Sequence, residues 1–262
     1  KHFVFKRNFS ITKMSSTQFK DIPKQLNSVK NPFIVLDQWR NEGIEKNDQK
    51  DPQAIVLCTA RKADTCELLP NEIKNETLMM PEARYVLCKM INVEKGYIVF
   101  FTNYNSAKGA QLNENCLATA VFYWDTLDQG KQIRLSGRVV KSPIFESEKY
   151  FNARHPKSRL GARASDQSSP IESREELLAK VEKEIAEHDG KPDSEIKRPS
   201  NWGGYRLYAT KIELWQAEEN RIHDRAVWRR SLLGMSELNE DSSSDSSPFK
   251  FSDWDEGTRL QP

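Results

Sequence analysis

Apolar, β-branched and aromatic residues cluster into short runs along the chain: AIVLCTA (54–60), RYVLCKMI (84–91), YIVFFT (97–102), LATAVFYW (117–124), IRLSGRVV (133–140) and YRLYATKIELW (205–215). Polar residues bound each run, and runs of this length and composition predict strands. About six strands with short connections predict a mainly β fold, an antiparallel barrel rather than a doubly wound sheet. Helical spacing takes over in four places. From Asn31 to about Glu45, Phe33, Leu36 and Trp39 recur at helical intervals, with Pro32 near the first turn. Ser106–Glu114 follows the third strand, and Ile144–Asn152 carries Phe145, Tyr150 and Phe151. Glu172–Glu187 is the plainest helix. Ser173 and Glu176 have capping-box spacing, Leu177, Val181 and Ile185 form an apolar stripe, and Gly190 lies just beyond the end. The polar stretches 64–81 and 236–248 read as loops, the second flexible with its DSSSDSS, and a short strand around Phe249–Trp254 is expected after it. Residues 1–30 then form a tail, and 31–262 a single domain flanked by its helices.

Composition narrows the class. The 262 residues, 37% of them hydrophobic, suffice for one substantial core or two small ones. A formal net charge of +2 gives no nucleic-acid footprint. No apolar run approaches the ~18–20 residues of a membrane span. With a mean hydropathy of −0.74, a soluble protein is expected. Cys58, Cys66, Cys88 and Cys116 show no C-x-x-C spacing, and two lie within apolar runs, which suits a reduced, cytoplasmic compartment. The first twenty residues contain no acid and several Lys, Arg, Ser and Thr, the composition of a mitochondrial presequence; a disordered tail before Met14 has the same composition.

The chain has no G-x-G-x-x-G, Walker-type, H-E-x-x-H or G-x-S-x-G motif, so nucleotide triphosphate, zinc and serine-hydrolase chemistry have no cue. Cations and hydroxyls stand out instead. WQAEENRIHDR (215–225) gathers Trp215, Arg221, His223 and Arg225. Strand alternation would send the last three to one side, where guanidinium forks suit a planar anion; an ordinary surface-charge cluster reads the same way. Arg84 and Lys89 stand at the two ends of a strand-like run, from which they could reach a phosphate or simply face solvent. Thr102, Ser106 and Lys108 surround a strand-to-helix turn, where free N–H groups and the helix dipole favour an anion. Tyr150, Arg154 and Ser158 recur every four residues, although Pro156 should break the helix after Arg154.

Six of these stretches, in order, resemble the motifs of the pyridoxine/pyridoxamine 5′-phosphate oxidase family. RYVLCK is similar to its R-x-V-L-L-K strand, and YIVFFTNYNSAKGAQL to its F-Y-T-N-x-x-S-R-K segment. YFNARHPKSRLGARASDQSS is similar to Y-F-x-S-R-P-x-x-S-x-I-G-A-x-x-S-x-Q-S-S. NWGGYRL matches W-G-G-[FY], WQAEENRIHDR matches W-Q-x-x-x-x-R-x-H-D-R, and RLQP matches R-L-x-P. The match runs from about Asn31 to the last residue, and a fungal-type member is expected.

The resemblance implies an FMN-binding split β-barrel that oxidises pyridoxamine or pyridoxine 5′-phosphate with oxygen, working as a homodimer with FMN at the subunit interface. It assigns Arg84, Lys89, Phe101, Thr102, Ser106, Lys108, Gln132, Gln167, Ser168, Trp215 and Arg225 to the cofactor. Lys89, Tyr150, Arg154 and Ser158 become a clamp for the substrate phosphate, and Arg221 and His223, the catalytic pair, face the pyridine ring. Of the four histidines only His223 lies in a family motif. Two departures stand out: Ala107 replaces the Arg of Ser-Arg-Lys, and the spacer before Gln132 is about two residues longer than the family's. They keep open a non-catalytic carrier or sensor of FMN or pyridoxal phosphate; a flavin reductase using a nicotinamide donor is a third reading.

Overall fold

A computed structural model of the chain describes residues 22, 28–64, 67, 78–128, 130–235 and 247–262. Its main sheet contains β1 (Ala54–Lys62), β2 (Met79–Asn92), β3 (Tyr97–Asn103), β4 (Leu117–Trp124), β5 (Lys131–Lys141) and β6 (Trp202–Gln216). The strands follow the order β6-β3-β2-β1-β4-β5, and β5 pairs again with β6, so the six close into an antiparallel ring. Closure is made possible by the length of β6. Its first half pairs with β3, from Trp202 against Asn103 to Tyr208 against Tyr97. Most of it pairs with β5, from Tyr205 against Lys141 to Gln216 against Lys131. Beyond β6 the sheet continues through β7 (Asp224–Arg229) to β10 (Thr258–Leu260), and β8 (Leu232–Met235) pairs with β9 (Phe249–Phe251) as a separate hairpin.

Period-two alternation fills the interior of the ring. Ile55 and Leu57, Ala120 and Phe122, Ile133 and Leu135, and Leu207, Ile212 and Leu214 are all buried together. Helix α1 (Phe33–Lys46) adds Phe33, Leu36 and Trp39 to the same core. Each such side chain is worth roughly 1.5–3 kcal/mol when fully buried. Among the described residues no helix is long and apolar enough to cross a membrane.

Four further helices lie between strands: α2 (Ala107–Glu114), α3 (Ile144–Ala153), α4 (Pro156–Ala164) and α5 (Arg174–His188). Ser106 caps α2 by accepting from the Gly109 N–H, and Ser173 caps α5 by accepting from Glu176. Pro156 does interrupt the helix, but a new one, α4, begins on it, with the His155 side chain as cap.

Three expectations are corrected. The stretch 64–81 is not all loop, because β2 starts at Met79; Arg84 and Lys89 therefore lie inside a long strand, not at its ends. The window 215–225 is not one strand. β6 stops at Gln216, and Asn220 (φ 56°) and Arg221 (φ 63°) turn the chain in left-handed conformations before β7 starts at Asp224. Finally, β7, β8 and β10 add three strands to the expected set, while β9 is the predicted strand at 249. The N-terminal tail up to residue 21 and most of the two predicted loops (68–77 and 236–246) fall outside the described residues.

Candidate active site

The turn from β3 into α2 gathers one set of predicted residues. Lys108, only 8% exposed, donates from Nζ to Thr102 Oγ1 (3.1 Å), Ser106 Oγ (3.0 Å) and Gln167 Oε1 (3.1 Å). All three acceptors are neutral, so nothing bonded to the ammonium cancels its charge. Burial, followed by the nearby Arg84 guanidinium, pushes the Lys108 pKa down to about 8. A desolvated cation beside a helix start is a seat for an anion, since the first N–H groups of α2 and its dipole act in the same direction. Ser168, next to Gln167, holds a left-handed backbone (φ 74°). Arg84 faces the seat from β2, donating to Thr59 Oγ1 (2.5 Å) and Gln111 Oε1 (3.0 Å), and pairing with Glu82 (3.2 Å).

A second cation pair lies around Lys89. The register of β2 on β3 slips between Cys88 and Met90, which leaves Lys89 in a bulge and out of the ladder. Its Nζ donates to Gln53 Oε1 (3.2 Å). Burial lowers its pKa first, with Arg40 and Arg154 adding like charge and Asp51 opposing them. Arg154 caps the C-terminus of α3, and its guanidinium sits 4.8 Å from the centre of the Trp202 ring. Its Nη1 is buried without a hydrogen-bond partner, and burial holds its pKa below the usual value. Tyr150 stacks on Phe101 at 4.0 Å, and Phe101 on Trp202 at 5.7 Å, so Phe101 braces this second seat through its ring. Ser158 is exposed in the first turn of α4, so Tyr150, Arg154 and Ser158 do not share one helix.

The remaining residues lie at the far end of β6. Gln132, Trp215 and Arg225 occupy one cross-strand row over β5, β6 and β7. The Arg225 fork is held by Glu213 Oε1 (2.8 Å from Nη2) and by the Gln261 carbonyl (2.9 Å). The His223 ring packs 4.7 Å from that of Trp215, and its Nδ1 accepts from the Glu218 N–H (3.2 Å). A neutral His223 therefore carries its proton on Nε2. Arg221 is exposed in the left-handed turn. Thr102 pairs beside Gly203, whereas Gln132 pairs beside Trp215. Those two β6 positions are separated by about 40 Å of strand at ~3.3 Å per residue. The Lys108 seat and the Trp215 row therefore do not meet within one chain.

Several participants carried no sequence signal of their own. Arg40 and Gln53 beside Lys89, and Thr59 and Gln111 on Arg84, all come from other elements, whereas Trp202, under Arg154, stands in the W-G-G stretch, which assigned it no contact. Thr59 had the best cue, an inward position in an otherwise apolar alternation. Packing at α2 is equally tight: a Cβ on Gly109 would run into the Tyr104 carbonyl oxygen. We expect Gly109→Ala to lower stability by about 1–3 kcal/mol as the backbone shifts, read as a drop in melting temperature together with weaker ligand binding at Lys108.

The chain is similar to known proteins over most of its length. Residues 46–187 match the family model described as pyridoxamine 5′-phosphate oxidase, and residues 202–248 match the pyridoxine 5′-phosphate oxidase C-terminal dimerisation region. The pyridoxine/pyridoxamine 5′-phosphate oxidase of Granulibacter bethesdensis is 39% identical over 205 residues, covering 76% of this chain and 85% of that protein. The same-named protein of Roseobacter denitrificans is 40% identical over 200 residues, covering 76% and 88%. Among solved structures, PhzG from Burkholderia lata in complex with tetrahydrophenazine-1-carboxylic acid superposes with a TM-score of 0.65 at 25% identity, covering 89% of this chain and 93% of that one. The closed ring with its flanking helices is thus the split-barrel fold of these proteins, and the chain belongs to the pyridoxamine 5′-phosphate oxidase family.

Proposed function

We propose that the protein oxidises pyridoxamine 5′-phosphate or pyridoxine 5′-phosphate to pyridoxal 5′-phosphate, with FMN as its cofactor and oxygen as the final acceptor. The alcohol and oxygen give the aldehyde and hydrogen peroxide; the amine also takes up one water and releases ammonia. The observation carrying this reading is the pair of separate, desolvated cation seats, Lys108 with Arg84 and Lys89 with Arg154. Two seats suit a reaction in which cofactor and substrate each bring a phosphate. Lys108, held by neutral oxygens at a helix start, fits the FMN phosphate, and the partnerless Arg154 Nη1 fits the substrate phosphate.

When bound, FMN would supply the two-electron acceptor. The chain's own residues bind and orient. Thr102, Ser106, Gln167 and Ser168 line the cofactor phosphate with Lys108, and Tyr150 and Ser158 complete the substrate clamp. Trp215 gives the flavin a flat wall, with Gln132 and Arg225 at its polar edge. Arg221 and His223 would hold the pyridine ring of the substrate and orient it for oxidation. No side chain acts as a nucleophile.

The distance along β6 supports a working site shared by two copies, the Lys108 and Lys89 seats from one and the Trp215 row from its partner. The match of 202–248 to a dimerisation region supports a homodimer. So does the outer face of β2, β1 and β4, which leaves Tyr85 77%, Leu117 53% and Tyr123 50% exposed. The test is incubation of purified protein with FMN and pyridoxamine 5′-phosphate in air. Pyridoxal 5′-phosphate in molar excess over enzyme, with matching peroxide, supports the reading; bound flavin without product would leave a carrier or sensor.

A further inference from the structure

Gln111 belongs to neither seat by sequence, yet it is the hub behind Arg84. It lies on α2 three residues beyond Lys108 and is 4% exposed. Its Oε1 accepts from Thr59 Oγ1 (2.5 Å) and from Arg84 Nη2 (3.0 Å). Its amide also hydrogen-bonds to Glu82, and together with Arg61 holds that carboxyl below the usual carboxylate range. Thr59, itself 3% exposed, closes the loop by accepting from Arg84 Nη1 (2.5 Å).

The arrangement links three elements, β1 through Thr59, β2 through Arg84 and Glu82, and α2 through Gln111. Without it Arg84 would keep only the Leu57 and Glu82 carbonyls (3.2 and 3.3 Å) and the Glu82 carboxylate, and its Nη2 would lose its one neutral partner. Its guanidinium already contacts Glu82, and Glu82 in turn takes Arg61 Nε at 2.8 Å. An untethered Arg84 would collapse onto that carboxylate and turn away from the anion seat. A buried neutral amide holds the guanidinium in place without cancelling its charge.

We infer that Gln111, assisted by Thr59, is a positioning residue that aims Arg84 at the anion bound beside Lys108. The inference rests on the reading of that seat as the FMN phosphate site and deepens it. Arg84 and Lys108 are the charged groups facing one another there, Arg84 from β2 and Lys108 from α2, while Thr102, Ser106 and Gln167 around Lys108 are neutral.

The test compares binding of FMN and of riboflavin, which shares the ring system but lacks the phosphate, by flavin fluorescence. Gln111→Leu should raise the Kd for FMN about tenfold, the loss expected when one charge-assisted contact goes, and leave the riboflavin Kd unchanged. Thr59→Val, nearly isosteric, should act in the same direction with smaller size. Lys108 should also feel less like charge, so the pH above which FMN affinity declines should move upward in Gln111→Leu. An unchanged FMN Kd, or equal losses for FMN and riboflavin, would overturn the positioning role. The underlying seat is judged separately: wild-type protein that binds FMN no better than riboflavin would refute the phosphate site and this inference with it.

Discussion

Lys108→Met should weaken FMN binding by roughly two orders of magnitude, about 3 kcal/mol, while riboflavin binding stays the same. The effect is large because the ammonium is already desolvated. It pays its hydration loss in the empty protein, with only neutral oxygens around it, and recovers electrostatic energy only when an anion arrives. The same physics fixes the pH dependence. Burial and Arg84 lower the Lys108 pKa to about 8 in the free protein, and a bound phosphate raises it. A group whose pKa rises on binding contributes fully below its free-state value and loses that contribution as pH climbs through the bound-state value. Wild-type FMN affinity should therefore hold below pH 8 and decline above it, and the Met variant should lose that alkaline limb. Titrating FMN into both proteins between pH 6.5 and 10 is the check; parallel curves would remove Lys108 from the phosphate seat.

Arg154→Ala should raise the KM for pyridoxamine 5′-phosphate by about 100-fold and leave FMN affinity unchanged. Arg154 is held 4.8 Å over Trp202 with one nitrogen buried and unpaired. The stack of Tyr150, Phe101 and Trp202 fixes its surroundings without neutralising it. Loss of that cation leaves Lys89 alone to meet the substrate phosphate. Steady-state kinetics at saturating FMN separate the cases. A fall in kcat with unchanged KM would place Arg154 away from ground-state binding, and a loss of FMN would assign it to the wrong seat.

Local signals were the ones that survived from sequence to structure. The six apolar runs became strands β1 to β6, and Ser173 caps α5 where its spacing to Glu176 placed it. Ring closure was not legible, since it depends on β6 being long enough to pair with both β3 and β5. Arg84 and Lys89 were expected at strand ends because Pro81 and Glu82 interrupt the apolar residues before Arg84 and hid the first residues of β2. What frees Lys89 is a bulge, which no residue type announces. Arg221, His223 and Arg225 alternate in sequence but not in space, because two consecutive left-handed residues, neither of them glycine, turn the chain between β6 and β7. The network of Thr59, Gln111 and Arg84 joins residues up to 52 positions apart and emerges only from the register of β1 on β2 and the docking of α2.

A single mixing experiment addresses the central claim that one oxidase site is built from two copies. Lys108→Met spoils the phosphate seat, and Arg221→Ala, at an exposed turn, spoils the ring-facing end. Each variant alone should be nearly inactive at FMN concentrations near the wild-type Kd. When the two are dissociated together and reassociated, half the dimers are mixed and each mixed dimer holds one intact site. Pyridoxal 5′-phosphate formation should then recover to roughly a quarter of the wild-type rate. Recovery of that size is the predicted result; confirmed mixed dimers that form no more product than the separate variants would contradict a site shared between subunits.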